Sequence, residues 1–257
     1  MQPRQTPKWL NLFITAFGAK GLVILAWWLG ALHAERIRAA QRSYPFLEVA
    51  GTCSAHSSLI LSVLWKLLGS EQNHSINLAH CTRAAVLRGI YNVVDMPVVI
   101  EEPDRQANDN KPFDWNELKA CFTGERMCFR SGGAQVEENP PLSEALRSRF
   151  VFVELDHSQR TEESAQAVRD LLDMYSTGEI DFEGAFEDTV KAAGDRLEGL
   201  LQHTTAYFVQ PHDNKRVAFN HAQLHALLGV LDDFFVLPTD AREDAHIEVA
   251  AMTLITD

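Results

Sequence analysis

The run Tyr44-Pro45-Phe46-Leu47-Glu48-Val49-Ala50 is apolar and partly β-branched and ends at Gly51. Seven residues later Ser58 to Leu68 begins an apolar pattern at helical spacing, closed by Gly69. A buried strand, a glycine-started loop and a helix form the β–loop–α unit that can hold a phosphate. Such a unit needs further parallel strands beside it. Two more short apolar runs supply candidates, Met96–Ile100 and Phe150–Leu155. Before this core, residues 9–42 read as one or two helices. After it, residues 161–204 and 219–257 have helical period with Glu and Asp on the polar faces, and Val209–Val217 reads as a connecting loop. Trp115–Phe122 reads as a short helix, Leu142–Ser148 as one or two helical turns, and Ser131-Gly132-Gly133 as a turn between strand-like pieces. The expected organisation is an N-terminal helical segment over 1–43, an α/β core over 44–156 and a helical, lid-like region over 157–257.

The loop at the centre of this unit is tested against the phosphate-binding pattern G-x-x-x-x-G-K-[ST]. In that pattern the glycines let backbone N–H groups curl round the phosphates, the Lys neutralises the β- and γ-phosphates, and the hydroxyl binds Mg²⁺. Here the register gives Gly51-Thr52-Cys53-Ser54-Ala55-His56-Ser57-Ser58. Gly51 and Ser58 match. His56 stands at the second glycine and brings a Cβ where the backbone must approach closely. Ser57 stands at the lysine and removes a cation worth several kcal/mol in a phosphoryl transition state.

Several segments in order resemble the ATPase module of primase–helicase proteins carried by plasmids, phages and integrative elements. They are GLVILAWWLGALHAERIRAAQRSYPFLEVAG, LILSVLWKLLG, MPVVIEEPDR, FRSGGAQVEENPP, EALRSRFVFVELD and VAFNHAQLHALL. The resemblance implies a P-loop NTPase-like parallel sheet of the AAA+/helicase type. It implies that Val98–Glu102 is a Walker B strand whose Glu101 and Glu102 once served Mg²⁺ and water, and that Arg149, with Arg147 as a nearby substitute, is a former arginine finger directed at a neighbouring subunit. The vestigial phosphate loop is then Gly51, His56, Ser57 and Ser58. Only Leu142 and Ser143 separate Pro141 from Glu144, so the strand that usually carries a polar sensor residue there is expected to be missing. Together these losses point away from hydrolysis. The expected cofactor is none, with ATP and Mg²⁺ bound weakly at most, and the expected role is partner binding or regulation for a mobile genetic element. An atypical active ATPase or DNA helicase, with Lys66 or Arg83 replacing the lost lysine, is the alternative. A helicase relic without a role of its own is a third.

Charge bears on partners. The chain has a net charge of −12. Residues 1–50 hold six Lys/Arg against two Asp/Glu, a balance of +4, and the remainder holds 17 against 33, a balance of −16. An acidic body repels a phosphate backbone, so nucleic acid is expected to bind weakly, around Arg36, Arg38 and Arg42 if anywhere. A protein partner fits better, and an oligomer is compatible. Cys53, Cys81, Cys121 and Cys128 contain no C-x-x-C pair, which suits reduced cytoplasmic thiols and gives no zinc motif. His221 and His225, four residues apart, and the cluster His74, His80 and Cys81 are read as structural. Trp27, Trp28 and Trp65 are read as core. Ser54, Ser57 and Ser58 beside His56 fit no nucleophile motif. Gly21–Leu32 is uncharged and apolar but shorter than the ~18–20 residues that span a bilayer, so a buried helix and no membrane association are expected.

Overall fold

The computed structural model describes residues 6–51, 54–70, 75–78, 81–92, 96–102, 114–123, 128–132, 143–155, 161–177, 197, 199, 201 and 213–255. His74 and His80 lie outside the described residues. The elements run α1 (Lys8–Ala31), α2 (Ala34–Gln41), β1 (Phe46–Gly51), α3 (Ser54–Lys66), β2 (Ser75–Asn77), α4 (Arg83–Asn92) and β3 (Val98–Glu102). A 3₁₀ turn (Trp115–Leu118), α5 (Lys119–Thr123), β4 (Cys128–Gly132), α6 (Glu144–Arg147), β5 (Phe150–Leu155) and α7 (Glu162–Ser176) follow. The chain ends on α8 (Lys215–Phe235) and α9 (Thr239–Ile255).

The five strands among the described residues are all parallel and form one sheet in the order β2-β3-β4-β1-β5. Alternation along the strands divides the core between two faces. Leu47 and Val49 of β1, Val99 of β3 and Val151, Val153 and Leu155 of β5 join α1, α3, α7, α8 and α9 in the larger cluster. Phe46, Val98, Ile100 and Phe150 point the other way, onto α4, the 3₁₀ turn, α5 and α6. Covering both faces is what a parallel sheet requires.

The N-terminal helix is central to this arrangement. By length and composition α1 could cross a membrane, and it is longer than its uncharged stretch. Within the fold, however, Leu22–Leu29 are completely buried, apolar on every side, under α7, α8 and α9. Two reciprocal hydrogen bonds clip α1 to the start of the sheet. The Trp27 indole donates to the Pro45 carbonyl at 2.8 Å, and the Tyr44 hydroxyl donates to the Trp27 carbonyl at 2.7 Å. Burial pushes the Tyr44 pKa well above its usual value, against the pull of Arg38. Trp28 and Trp65 meet edge to face at 5.1 Å, so α1 and α3 share their largest side chains, and all three tryptophans are core.

Two expectations are corrected. The strand expected to be missing after Pro141 has a counterpart earlier in the chain, because β4 lies between β1 and β3 in the middle of the sheet. Ser131 and Gly132 are its last residues and do not form a turn: Val49 and Ala50 pair with them on one side, Glu101 and Glu102 on the other. A ladder on both edges outweighs the turn chemistry of Ser-Gly-Gly. The expected loop over 209–217 also overlaps structure, since Asn214 caps α8 by accepting from the Arg216 amide at 3.1 Å. β2, three residues long, had no detectable pattern.

Candidate functional site

Parallel strands bring all their C-terminal ends to one edge, which is where open α/β sheets bind ligands. The register defines that edge. Asn77, Glu101, Ser131 and Val49 lie on one level, and Glu102, Gly132, Ala50 and Glu154 on the next. Gly51 and Leu155 close it. Thus the sequence-predicted Gly51, Glu101 and Glu102 do converge. Two strand spacings separate the end of β3 from β1, about 10 Å. The strand between them has Ser131 at the level of Glu101 and Val49. Glu101 is partly buried, and its carbonyl accepts from the Leu78 amide at 3.1 Å.

The phosphate loop departs from its expected form. The backbone is helical from Ser54, so only Thr52 and Cys53 separate strand from helix. Ser54, Ala55, His56 and Ser57 occupy the first turn of α3, and Ser58 is exposed in the second. In an α-helix the amide at Ser58 bonds back to the carbonyl at Ser54, leaving only the four first-turn amides for a ligand. Those amides can attract an anion, and the helix that carries them begins four residues before Ser58.

Neither substitute for the missing lysine is free to serve. Lys66 lies in the last turn of α3, twelve residues or ~18 Å from its start, with its ammonium 4.0 Å from the centre of the Tyr175 ring. Arg83 pairs with Glu117 at 2.5 Å. Among the described residues, no group of three or more His, Cys, Asp or Glu could hold a metal ion.

Arg149 sits at the opposite edge. Its carbonyl accepts from Phe46 N at 2.9 Å, at the start of β1 and β5, so a strand length of roughly 15–20 Å separates it from Gly51. It can address a phosphate only on another subunit. Its guanidinium is meanwhile engaged internally, donating to the Ala145 carbonyl and lying 5.4 Å from the Phe122 ring centre. Burial lowers its pKa first, and the neighbouring Arg216 adds to that. Arg147 is exposed and 5.5 Å from the Phe152 ring centre.

Other expectations divide. His221 and His225 are buried, His221 hydrogen-bonds to the Val217 carbonyl at 2.7 Å, and His225 meets His246 of α9, Nδ1 to Nδ1, at 2.7 Å. Of the three basic residues offered for nucleic acid, Arg36 and Arg42 are exposed but Arg38 is buried. Sequence reasoning missed a basic pocket between α6 and the start of α8. Its main residues are some 70 positions apart and come together only in the fold.

No family model matches the sequence, and no curated protein matches it. Among solved structures, the chain is similar to the active helicase Cch of SCCmec type IV, with a TM-score of 0.65 at 13% identity over 98% of this chain. It spans about half of that structure, 51%. An assigned but unproven ATPase of Cytophaga hutchinsonii aligns at a TM-score of 0.41 and 14% identity, over 93% of this chain and 87% of that one, too low to bear on the fold. The chain therefore shares an α/β fold with about half of that structure, with little likeness in sequence.

Proposed function

We propose that this chain is a P-loop, AAA+/helicase-type scaffold from a mobile genetic element that has lost ATP hydrolysis and acts in the cytoplasm as a partner-binding or regulatory protein. The sheet would be the P-loop-type sheet, α1 and α2 the N-terminal segment, and α7 to α9 the lid-like region. The observation that carries the reading is the junction of β1 and α3. It stands at the C-terminal edge of the sheet, level with Glu101 and Glu102, yet the helix begins at Ser54 and Ser57 replaces the lysine. Lys66 and Arg83, the replacements offered by the sequence, are engaged with Tyr175 and Glu117. Without a cation on the transferring phosphate, several kcal/mol of transition-state stabilisation are missing. Glu101, Glu102 and Arg149 are then vestiges of Walker B and arginine-finger positions.

One observation favours the second reading, an atypical active ATPase or DNA helicase. β4 lies between β1 and β3, and Ser131 ends beside Glu101, where a polar sensor residue would stand. Steady-state ATP hydrolysis by the wild type beside Glu102→Gln separates the two. The first reading expects the same background rate from both. A wild-type rate abolished by Glu102→Gln would establish the second.

A further inference from the structure

A concavity of about 570 Å³ lies far from the Gly51 edge, between α6 and the N-terminus of α8. Arg147, Lys215 and Arg216 line it together with Ser148, Glu144 and Asp213. Arg216 donates to Ser148 Oγ at 2.9 Å and lies 5.8 Å from the centre of the Phe122 ring, which it shares with Arg149. Arg147 lies over Phe152. Aromatic faces and one hydroxyl thus hold three guanidiniums near one another. Among the described residues, none of the three is ion-paired, although the chain carries 35 Asp and Glu. Cations that outnumber the carboxylates of a concavity and form no ion pair with them raise the potential there, and the N-terminus of the 21-residue α8 adds to it.

We infer that this pocket docks the carboxylate side chains of an acidic segment of a partner protein. The inference rests on the partner-binding reading above and names what the partner presents. A guanidinium fork matches the planar carboxylate in a bidentate way. The lining holds three cations against Glu144 and Asp213, a surplus of one. That balance suits groups of single charge, whereas the two rim carboxylates repel a polyphosphate or nucleic-acid backbone. The net charge of −12 over the chain disfavours an acidic segment elsewhere on balance, which focuses it here.

Fluorescence anisotropy of fluorescein-labelled octaglutamate with the full chain tests this, with octaglutamine, pyrophosphate and an oligothymidylate as comparisons. Octaglutamate is expected to bind and octaglutamine not. Arg216→Gln and Arg147→Gln should each weaken binding ~3–10-fold, and Glu144→Gln should tighten it ~3-fold. Glu144 is exposed, so its variant keeps the test decisive if an arginine variant misfolds by circular dichroism. Binding of octaglutamate no tighter than octaglutamine, indifference to these substitutions, or displacement by pyrophosphate or oligothymidylate at lower concentration than by unlabelled octaglutamate would overturn the inference. No nucleotide is needed, so failure here is distinguishable from failure of the hydrolysis test.

Discussion

Gly30 of α1 packs tightly against Tyr44, just before β1, and Leu227 of α8. A Cβ added there meets the Tyr44 hydroxyl first, then Leu227 Cδ1 at 2.7 Å and Tyr44 Cζ at 2.9 Å. Tyr44 and Leu227 are completely buried, and the Tyr44 hydroxyl is tied to the Trp27 carbonyl, so neither can move aside freely. Gly30→Ala therefore costs about 1–3 kcal/mol in overpacking. Displacing the Tyr44 hydroxyl leaves buried polar groups unpaired, for a further ~1–3 kcal/mol. Alanine's better helix propensity returns ~1 kcal/mol. The net expectation is ~2–4 kcal/mol of destabilisation, read as a lower midpoint in urea with the slope unchanged. Tyr44→Phe alone should cost ~1–2 kcal/mol. The double variant should cost at least ~1 kcal/mol less than the sum, because the first clash is with the atom that Phe lacks; Leu227 prevents full recovery. A Gly30→Ala effect below ~0.5 kcal/mol, or an additive cycle, would refute the packing argument and with it the reading of α1 as a core helix.

Stability should fall on mild acidification. Burial, then His246 and His221, pushes the His225 pKa down to about 4, and burial lowers that of His246 too, with Arg242 assisting and Asp232 opposing. Unfolded histidine titrates near ~6.5, so between ~6.5 and 4 the unfolded state binds more protons; the contribution is present above that window and lost as pH falls through it. Allowing for residual exposure, His225 should account for about 1–2 kcal/mol between pH 7 and 5, and a urea midpoint that falls equally in wild type and His225→Gln would contradict this. Single- and double-stranded DNA should bind weakly and with steep salt dependence, so tight binding near ~150 mM salt would refute the charge argument.

Strands β1, β3 and β5 were legible because each is a short apolar run bounded by turn residues or charges, as buried parallel strands must be. β4 was only half legible: Cys128 to Arg130 fall in the strand-like piece Arg126–Arg130, whereas Ser131-Gly132 reads as a turn and is held in the strand by its two neighbours. The sheet edge could be anticipated from Gly51, Glu101 and Glu102, since strand ends are local features. The early start of α3 at Ser54 could not, because Thr-Cys-Ser-Ala-His reads equally as loop. Arg38 looked like part of a charged helix face and is instead buried, a consequence of how α2 packs. The arginine pocket depends on bringing Arg147 to Arg216, which no local pattern encodes.

The most direct test of the account is calorimetric titration of Mg²⁺-ATP into the wild type and into His56→Gly/Ser57→Lys. The account predicts millimolar or undetectable binding by the wild type. In the double variant the cation and backbone freedom return beside the first-turn amides of α3, and affinity should rise at least ~tenfold, or 1.4 kcal/mol. Micromolar binding by the wild type, or no gain in a folded double variant, would contradict a phosphate-binding scaffold that has lost its chemistry.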